Sequence, residues 1–158
     1  MAGVYVTQLF IDNWPHYAII CDTAGVGPNP YCDHCVSFAS DDGKELYYGC
    51  IYQGWTKVAC TMHTAVFDPT KITRNALYHI FHYPYIQLKC ERIFSAVPSD
   101  NPKALELNKK IGFKEVTVVP RAYPEADAII LSMEREDCKW LKYRPKPYPK
   151  PYEVRKVA

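Results

Sequence analysis

Cys32-Asp33-His34-Cys35 is a Cys-x-x-Cys with a histidine inside it, and His79-x-x-His82 places two imidazoles three residues apart. These are metal-ligand types, and zinc needs four of them, usually as two paired knuckles. A Cys2His2 set can be counted out only by spanning the 44 residues from Cys35 to His79, and we expect no metal. A redox Cys-x-x-Cys belongs at a helix start, whereas this pair falls in a loop before a strand. Free thiols are the plainer reading. The seven cysteines are odd in number and follow no framework spacing, which points to reduced thiols in a cytosol.

The segment 95–113, SAVPSDNPKALELNKKIGF, carries more chemistry. A short alternating strand leads into Pro-Ser-Asp-Asn-Pro. That places a capping side chain, Asn101, directly before a proline in the first helical turn. Ala104, Leu107 and Ile111 form the apolar face of a helix that Gly112 stops. His63 lies on a predicted strand, and an imidazole titrates near neutrality. A half-buried strand histidine without chemistry is the bland alternative.

These residues need elements to position them. Residues 4–11 read as a strand, and Asp12-Asn13-Trp14-Pro15 as a helix start running through Tyr17 to Cys21, although YAIIC also suits a strand. Residues 22–34 read as loop. A meander follows, with strands at 35–40, 45–53 and 56–67. Ala76, Leu77, Ile80 and Phe81 share a helical face, and Pro84 should kink or stop that helix. Strands at 92–97, 115–119 and 128–133 flank the second capped helix. The order is β-α-β-β-β-α-β-α-β-β, an α/β (α+β) arrangement with a mixed sheet.

The net charge of +2 hides an asymmetry. Residues 139–158 hold seven basic side chains against Glu153, while the first 138 hold twelve basic and sixteen acidic. An acidic body with a basic tail is not the charged face of a nucleic-acid-binding domain. No apolar run approaches the ~20 residues that span a bilayer, and the N-terminus lacks the pattern of a signal peptide. We therefore expect a cytoplasmic protein with no membrane partner. The tail sequence RPKPYPKPY favours polyproline II. Its Tyr143, Tyr148 and Tyr152 either contact a partner or lie on the chain's own body, whereas Tyr47, Tyr48, Tyr52, Tyr78, Tyr83 and Tyr85 read as core or sheet-face residues.

Asn101, Ala104, Gly112 and Phe113 follow the order Asn-x-x-Ala…Gly-Phe. That pattern resembles the second acyl-CoA motif of the GCN5-related N-acetyltransferase (GNAT) superfamily. The resemblance runs over roughly 35–138 in strand order, and the chain's ending looks like that of small phage- or prophage-encoded members. It implies a mixed sheet of about six or seven strands with a V-shaped splay between strands 4 and 5, where the pantetheine arm of acetyl-CoA inserts like an extra strand. Implied cofactor contacts are Ala65, Val66 and Phe67 at the strand end, and Lys71, Ile72, Thr73, Arg74 and Asn75 at the next helix start. Asn101, Lys103, Ala104 and Asn108 belong to the second motif, with Lys109 and Lys110 nearby. The family's glycine-rich phosphate loop is absent. Pro69-Thr70-Lys71-Ile72-Thr73-Arg74 stands in its place and offers a helix N-terminus, capped by Thr70 or Thr73, with the two cations Lys71 and Arg74.

The implied reaction is direct attack of a primary amine, from a small molecule or a protein, on the acetyl thioester. His63 is the expected base, with Glu45 or Glu125 acting through water as weaker choices. The family's tyrosine acid is replaced by Asn108, which cannot serve, so Tyr123 is the expected substitute. The rival reading is a non-catalytic GNAT scaffold, with or without CoA, that regulates a partner protein (a host protein, for a phage product). Its docking element would be the tail at 139–158, set apart from a domain spanning 1–138. A zinc-dependent interaction domain is a distant third.

Overall fold

The structure is a computed structural model, and it describes residues 6–148. Seven strands form one sheet in the order β1-β2-β3-β4-β5-β7-β6. They are β1 (Gln8–Ile11), β2 (His34–Ala39), β3 (Leu46–Gln53), β4 (Ala59–Val66), β5 (Arg92–Pro98), β6 (Lys114–Tyr123) and β7 (Ala126–Glu134). Helices α1 (Trp14–Ala24), α2 (Arg74–His82) and α3 (Pro102–Ile111) join them. The element order is the one the sequence suggests, and the architecture is a mixed α/β sheet with helices on both faces. Among the described residues no helix is long and apolar enough to cross a membrane.

Local chemistry sets each helix. Asn13 caps α1 by accepting from the His16 amide at 3.2 Å, and Gly25 ends it at φ 67°. Three residues of the expected loop thus extend α1 to Ala24. Gly49 lets α1 lie close to the sheet, because a Cβ there would meet Ile20 Cδ1 at 2.3 Å. The strand expected from 56 starts at Ala59. Thr56 instead forms a turn, its Oγ1 accepting from Ala59 N at 2.9 Å. Pro84 has no amide to donate, and α2 ends at His82 in a wider turn over Tyr83–Gln87.

Each sheet face buries a core. On one, Tyr17, Ile20 and Cys21 of α1 pack on Cys35, Ile51 and Ala65. On the other, Ala76, Leu77, Ile80 and Phe81 of α2 pack on Val36, Phe38, Tyr48 and Tyr52. The partly buried Ala104, Leu105 and Ile111 of α3 join this second core. Tyr47, Tyr48, Tyr52, Tyr83 and Tyr85 are buried as expected, while Tyr78 is half-buried and stacks on His82.

The packed structure does not end at the boundary expected after residue 138. Trp140 donates its Nε1–H to the Ile111 carbonyl at 2.8 Å, and Trp140, Leu141 and Tyr148 all pack on the second core. The Asn75 side chain clasps the Lys146 residue with two bonds, accepting from its N–H at 2.8 Å and donating to its carbonyl at 3.1 Å. The Tyr148 ring lies 5.2 Å from His79 and 5.7 Å from Phe38. Apolar rings within a basic sequence thus hold residues 139–148 on the body, while Lys150, Tyr152, Arg155 and Lys156 lie outside the described residues.

A chain ending at Lys142 loses the Asn75 and Tyr148 contacts and uncovers the wall around Phe38. We expect a stability loss of about 2 kcal/mol by urea unfolding. An unchanged midpoint would show that this segment does not pack in solution.

Candidate functional site

β4 and β5 are parallel neighbours for only three pairs, Ala59↔Arg92, Cys60↔Ile93 and Thr61↔Phe94. Beyond Thr61 and Phe94 the pairing stops. β4 continues to Val66 against β3, with pairs through Tyr48↔Val66, and β5 continues to Pro98 against β7, with pairs through Pro98↔Ala128. Each strand follows its outer partner, and a wedge opens between them. Its edges are the backbones of 62–66 and 95–98. An extended chain carrying amides, as pantetheine does, fits such a wedge because both edges offer unladdered N–H and C=O groups. The wedge is the splay expected between strands 4 and 5.

His63 stands on β4 within the wedge segment, directly opposite Ile51 of β3. Its ring is half-buried. Burial lowers its pKa below the ordinary 6.5, while the Asp33 carboxylate raises it in part. The imidazole is therefore neutral at physiological pH, the state a base requires. Asp33 is only 5% exposed, and its Oδ2 accepts from Tyr17 O–H at 2.6 Å, Gln53 Nε2–H at 2.6 Å and Asn29 N–H at 2.9 Å. Gln53 also donates to the Gly27 carbonyl at 2.9 Å. These bonds fasten the connection between α1 and β2 beside His63. Nothing in the local sequence pattern marks Asp33 beyond its place inside the Cys-x-x-Cys.

The residues expected at the phosphate end have mixed fates. Ala65 is buried under α1, Val66 packs on the opposite core, and Phe67 is exposed. The Phe67 and Asp68 amides both donate to the Tyr47 carbonyl, which turns the chain toward α2. Thr73, not Thr70, caps α2, its Oγ1 accepting from Ala76 N at 3.1 Å. Thr70 instead donates its hydroxyl to Asp68 at 2.6 Å, a bond that holds that carboxyl below its usual range. Lys71 sits over the Tyr47 ring at 5.0 Å, Ile72 packs partly on the core, and Arg74 is exposed. Asn75, expected on the cofactor, is occupied by Lys146.

At the second motif, Asn101 caps α3 through its Oδ1, which accepts from Ala104 N at 3.1 Å. Ala104 packs inward, and Lys103 is exposed. Asn108 donates Nδ2–H to the Ala104 carbonyl at 2.8 Å, and its own backbone carbonyl accepts from the Gly112 and Phe113 amides. Tyr123 ends β6 opposite Ala126. Asp127, which follows Ala126, exchanges bonds with Ser99 just past β5, and this ties the β6–β7 turn to the end of β5. Burial raises its pKa, and it keeps its proton at neutral pH.

The four residues of the candidate zinc set do not come together. Cys35 is buried under α1, Cys32 is exposed, and His79 and His82 face Tyr148 and Tyr78 on α2. Among the described residues no three metal-ligating side chains converge.

No family model matches this chain, and no curated protein does. Solved structures do. A mutant form of the spermidine N-acetyltransferase SpeG from Vibrio cholerae superposes with a TM-score of 0.68 at 11% identity, covering 85% of this chain and 96% of that one. A dodecameric structure of spermidine N-acetyltransferase from the same organism gives 0.66 at 11% identity, covering 82% and 94%. The ribosomal-protein-S5-alanine acetyltransferase from Vibrio fischeri gives 0.55 at 14% identity, covering 69% and 65%. At such identities the likeness is one of fold, and it defines this chain as a GNAT-fold protein.

Burial lowers the pKa of His16, His63, His79 and His82 below the ordinary 6.5. As pH falls through that value, the unfolded chain binds protons that the folded one refuses, so stability declines. The urea midpoint should drop between pH 7.5 and about 5.5. A flat profile would contradict the burial of these rings.

Proposed function

We propose that this protein is an acetyl-CoA-dependent N-acetyltransferase acting on a primary amine. The observation that carries the reading is the wedge between β4 and β5, with a neutral, half-buried imidazole on one of its strands. The pantetheine arm enters the wedge and pairs with the backbone edges at 62–66 and 95–98. At the phosphate end, Lys71 and Arg74 supply charge and the first turn of α2 supplies amides. Asn101 and Lys103 at the start of α3 would hold the cofactor from the other side, with Ala104 in the first turn and Asn108 further along the helix.

In the reaction His63 accepts the proton of the incoming ammonium. The freed amine attacks the thioester carbonyl carbon, and the collapsing adduct expels the CoA thiolate. Tyr123, still protonated, donates to that sulfur, and the second proton that nitrogen sheds as the amide forms restores the Tyr123 hydroxyl through solvent. Much of the rate comes from holding amine and thioester together, so a weak acid suffices. The acceptor is a small amine or a protein amino group.

A second reading, a GNAT scaffold that binds a partner without catalysis, is favoured by two observations. The Asn108 amide is engaged by Ala104, and Asn75 is engaged by the C-terminal segment. In that case the docking element is the basic chain beyond Tyr148.

Calorimetry with acetyl-CoA tests the shared claim, and we expect binding well below ~1 mM. No heat at that concentration would remove the cofactor from both readings. Thiol release with a panel of primary amines then separates enzyme from binder. His63→Ala should lower turnover by at least about 100-fold without abolishing acetyl-CoA binding. Unchanged turnover would eliminate His63 as the base.

A further inference from the structure

The buried carboxylate of Asp33 has no role in the chemistry above, yet its surroundings are fully organised. Three donors from three elements converge on a single oxygen: Tyr17 O–H from α1, Gln53 Nε2–H from β3 and Asn29 N–H from the connecting segment. The Asn29 amide also donates to the Tyr17 hydroxyl oxygen at 2.8 Å. Charge-assisted bonds of this kind are strong, and together they fix where the carboxylate sits.

Register places this anion beside the wedge. Ile51 and Gln53 of β3 stand opposite His63 and Thr61 of β4, so all four side chains project from one face of the sheet, the face that α1 covers. Gln53 is the diagonal neighbour of His63, and its amide holds Asp33 directly. The carboxylate thus sits one side chain away from the imidazole. Phe94 of β5, paired with Thr61 where the wedge begins, contributes no charge.

We propose that Asp33 is the positioning residue of the transfer site: it pins the 25–33 connection as a wall beside His63 and presents a fixed negative charge to that imidazole and to a cationic acceptor. This rests on the transferase reading for its catalytic meaning, but the coupling of Asp33 to His63 can be measured without it. The buried ionisable groups on this face are Asp33 of the connection, His16, Tyr17 and Cys21 of α1 and Cys35 of β2, and burial lowers the His16 pKa so that this ring is neutral at physiological pH. Burial pushes Tyr17, Cys21 and Cys35 upward, so they are neutral at physiological pH. Asp33 is the carboxylate whose field reaches His63.

The anion helps in two ways. It offsets part of the burial penalty on the imidazolium, which keeps His63 basic enough to take a proton from an ammonium. It also draws a cation toward the wedge without binding it tightly, because one of its two oxygens, Oδ2, is already engaged by three donors.

The test is an NMR titration of the His63 ring in the full chain, with no cofactor or acceptor present. Asp33→Asn keeps the shape and removes the charge, and it should lower the His63 pKa by on the order of one unit. Tyr17→Phe removes one bond to Asp33 but leaves the charge, and it should move His63 by less than half as much. A His63 titration unchanged in Asp33→Asn, or moved equally by Tyr17→Phe, would overturn the proposal. If acetyl transfer is found, Asp33→Asn should also raise KM for a cationic amine several-fold while KM for acetyl-CoA stays constant. Equal changes in both constants would point to a loosened fold and would likewise count against it. The titration gives its answer even if acetyl-CoA fails to bind, so the two failures are distinguishable.

Discussion

The structure turns on a ladder that stops. β4 and β5 share three pairs and then part, because each is bound more extensively to its outer neighbour. β4 keeps six pairs with β3, and β5 keeps seven with β7, so the right-handed twist of each half carries the strands away from each other. Backbone groups in the wedge are left for a ligand to satisfy. The helices hold the two halves in place, α1 over β3 and β4 on one face and α2 with α3 on the other.

The same parting decides which side chains meet. β4 alternates its residues between two cores, so His63 shares a face with Ala65 and α1, while Met62 and Val66 face α2. A one-residue slip in β3 against β4 would exchange these sets and bury a histidine under α2. The register is held by large apolar residues on both faces, Ile51 on one and Tyr48, Cys50 and Tyr52 on the other. Placement of the imidazole beside the α1–β2 connection is therefore a consequence of core packing.

The phosphate end is built differently. Without glycines, the β4–α2 connection cannot wrap an anion with successive amides. It forms a short turn in which Asp68 and Thr70 bond each other, then a helix capped by Thr73. The C-terminal segment crosses beside this helix and is held by Asn75, His79 and Phe38. Lys146 is thereby anchored on the residue that follows Arg74, so part of the positive charge that looks like an appendage belongs to the body.

The sequence alone determined what local rules govern. Caps at Asn13 and Asn101, the stop at Gly112, and the alternation of the meander strands follow from short-range chemistry, and together they yield the element order. His63 and Asn101 were legible as candidates because residue type and local position suffice for them. Tertiary structure alone decided the rest, because those facts are long-range. Asp33 meets Gln53 across 20 residues, and Asn75 meets Lys146 across 71. No periodicity encodes such pairs. A cap is chosen by the three residues that follow it, whereas a buried carboxylate is satisfied only when three separate elements have already packed.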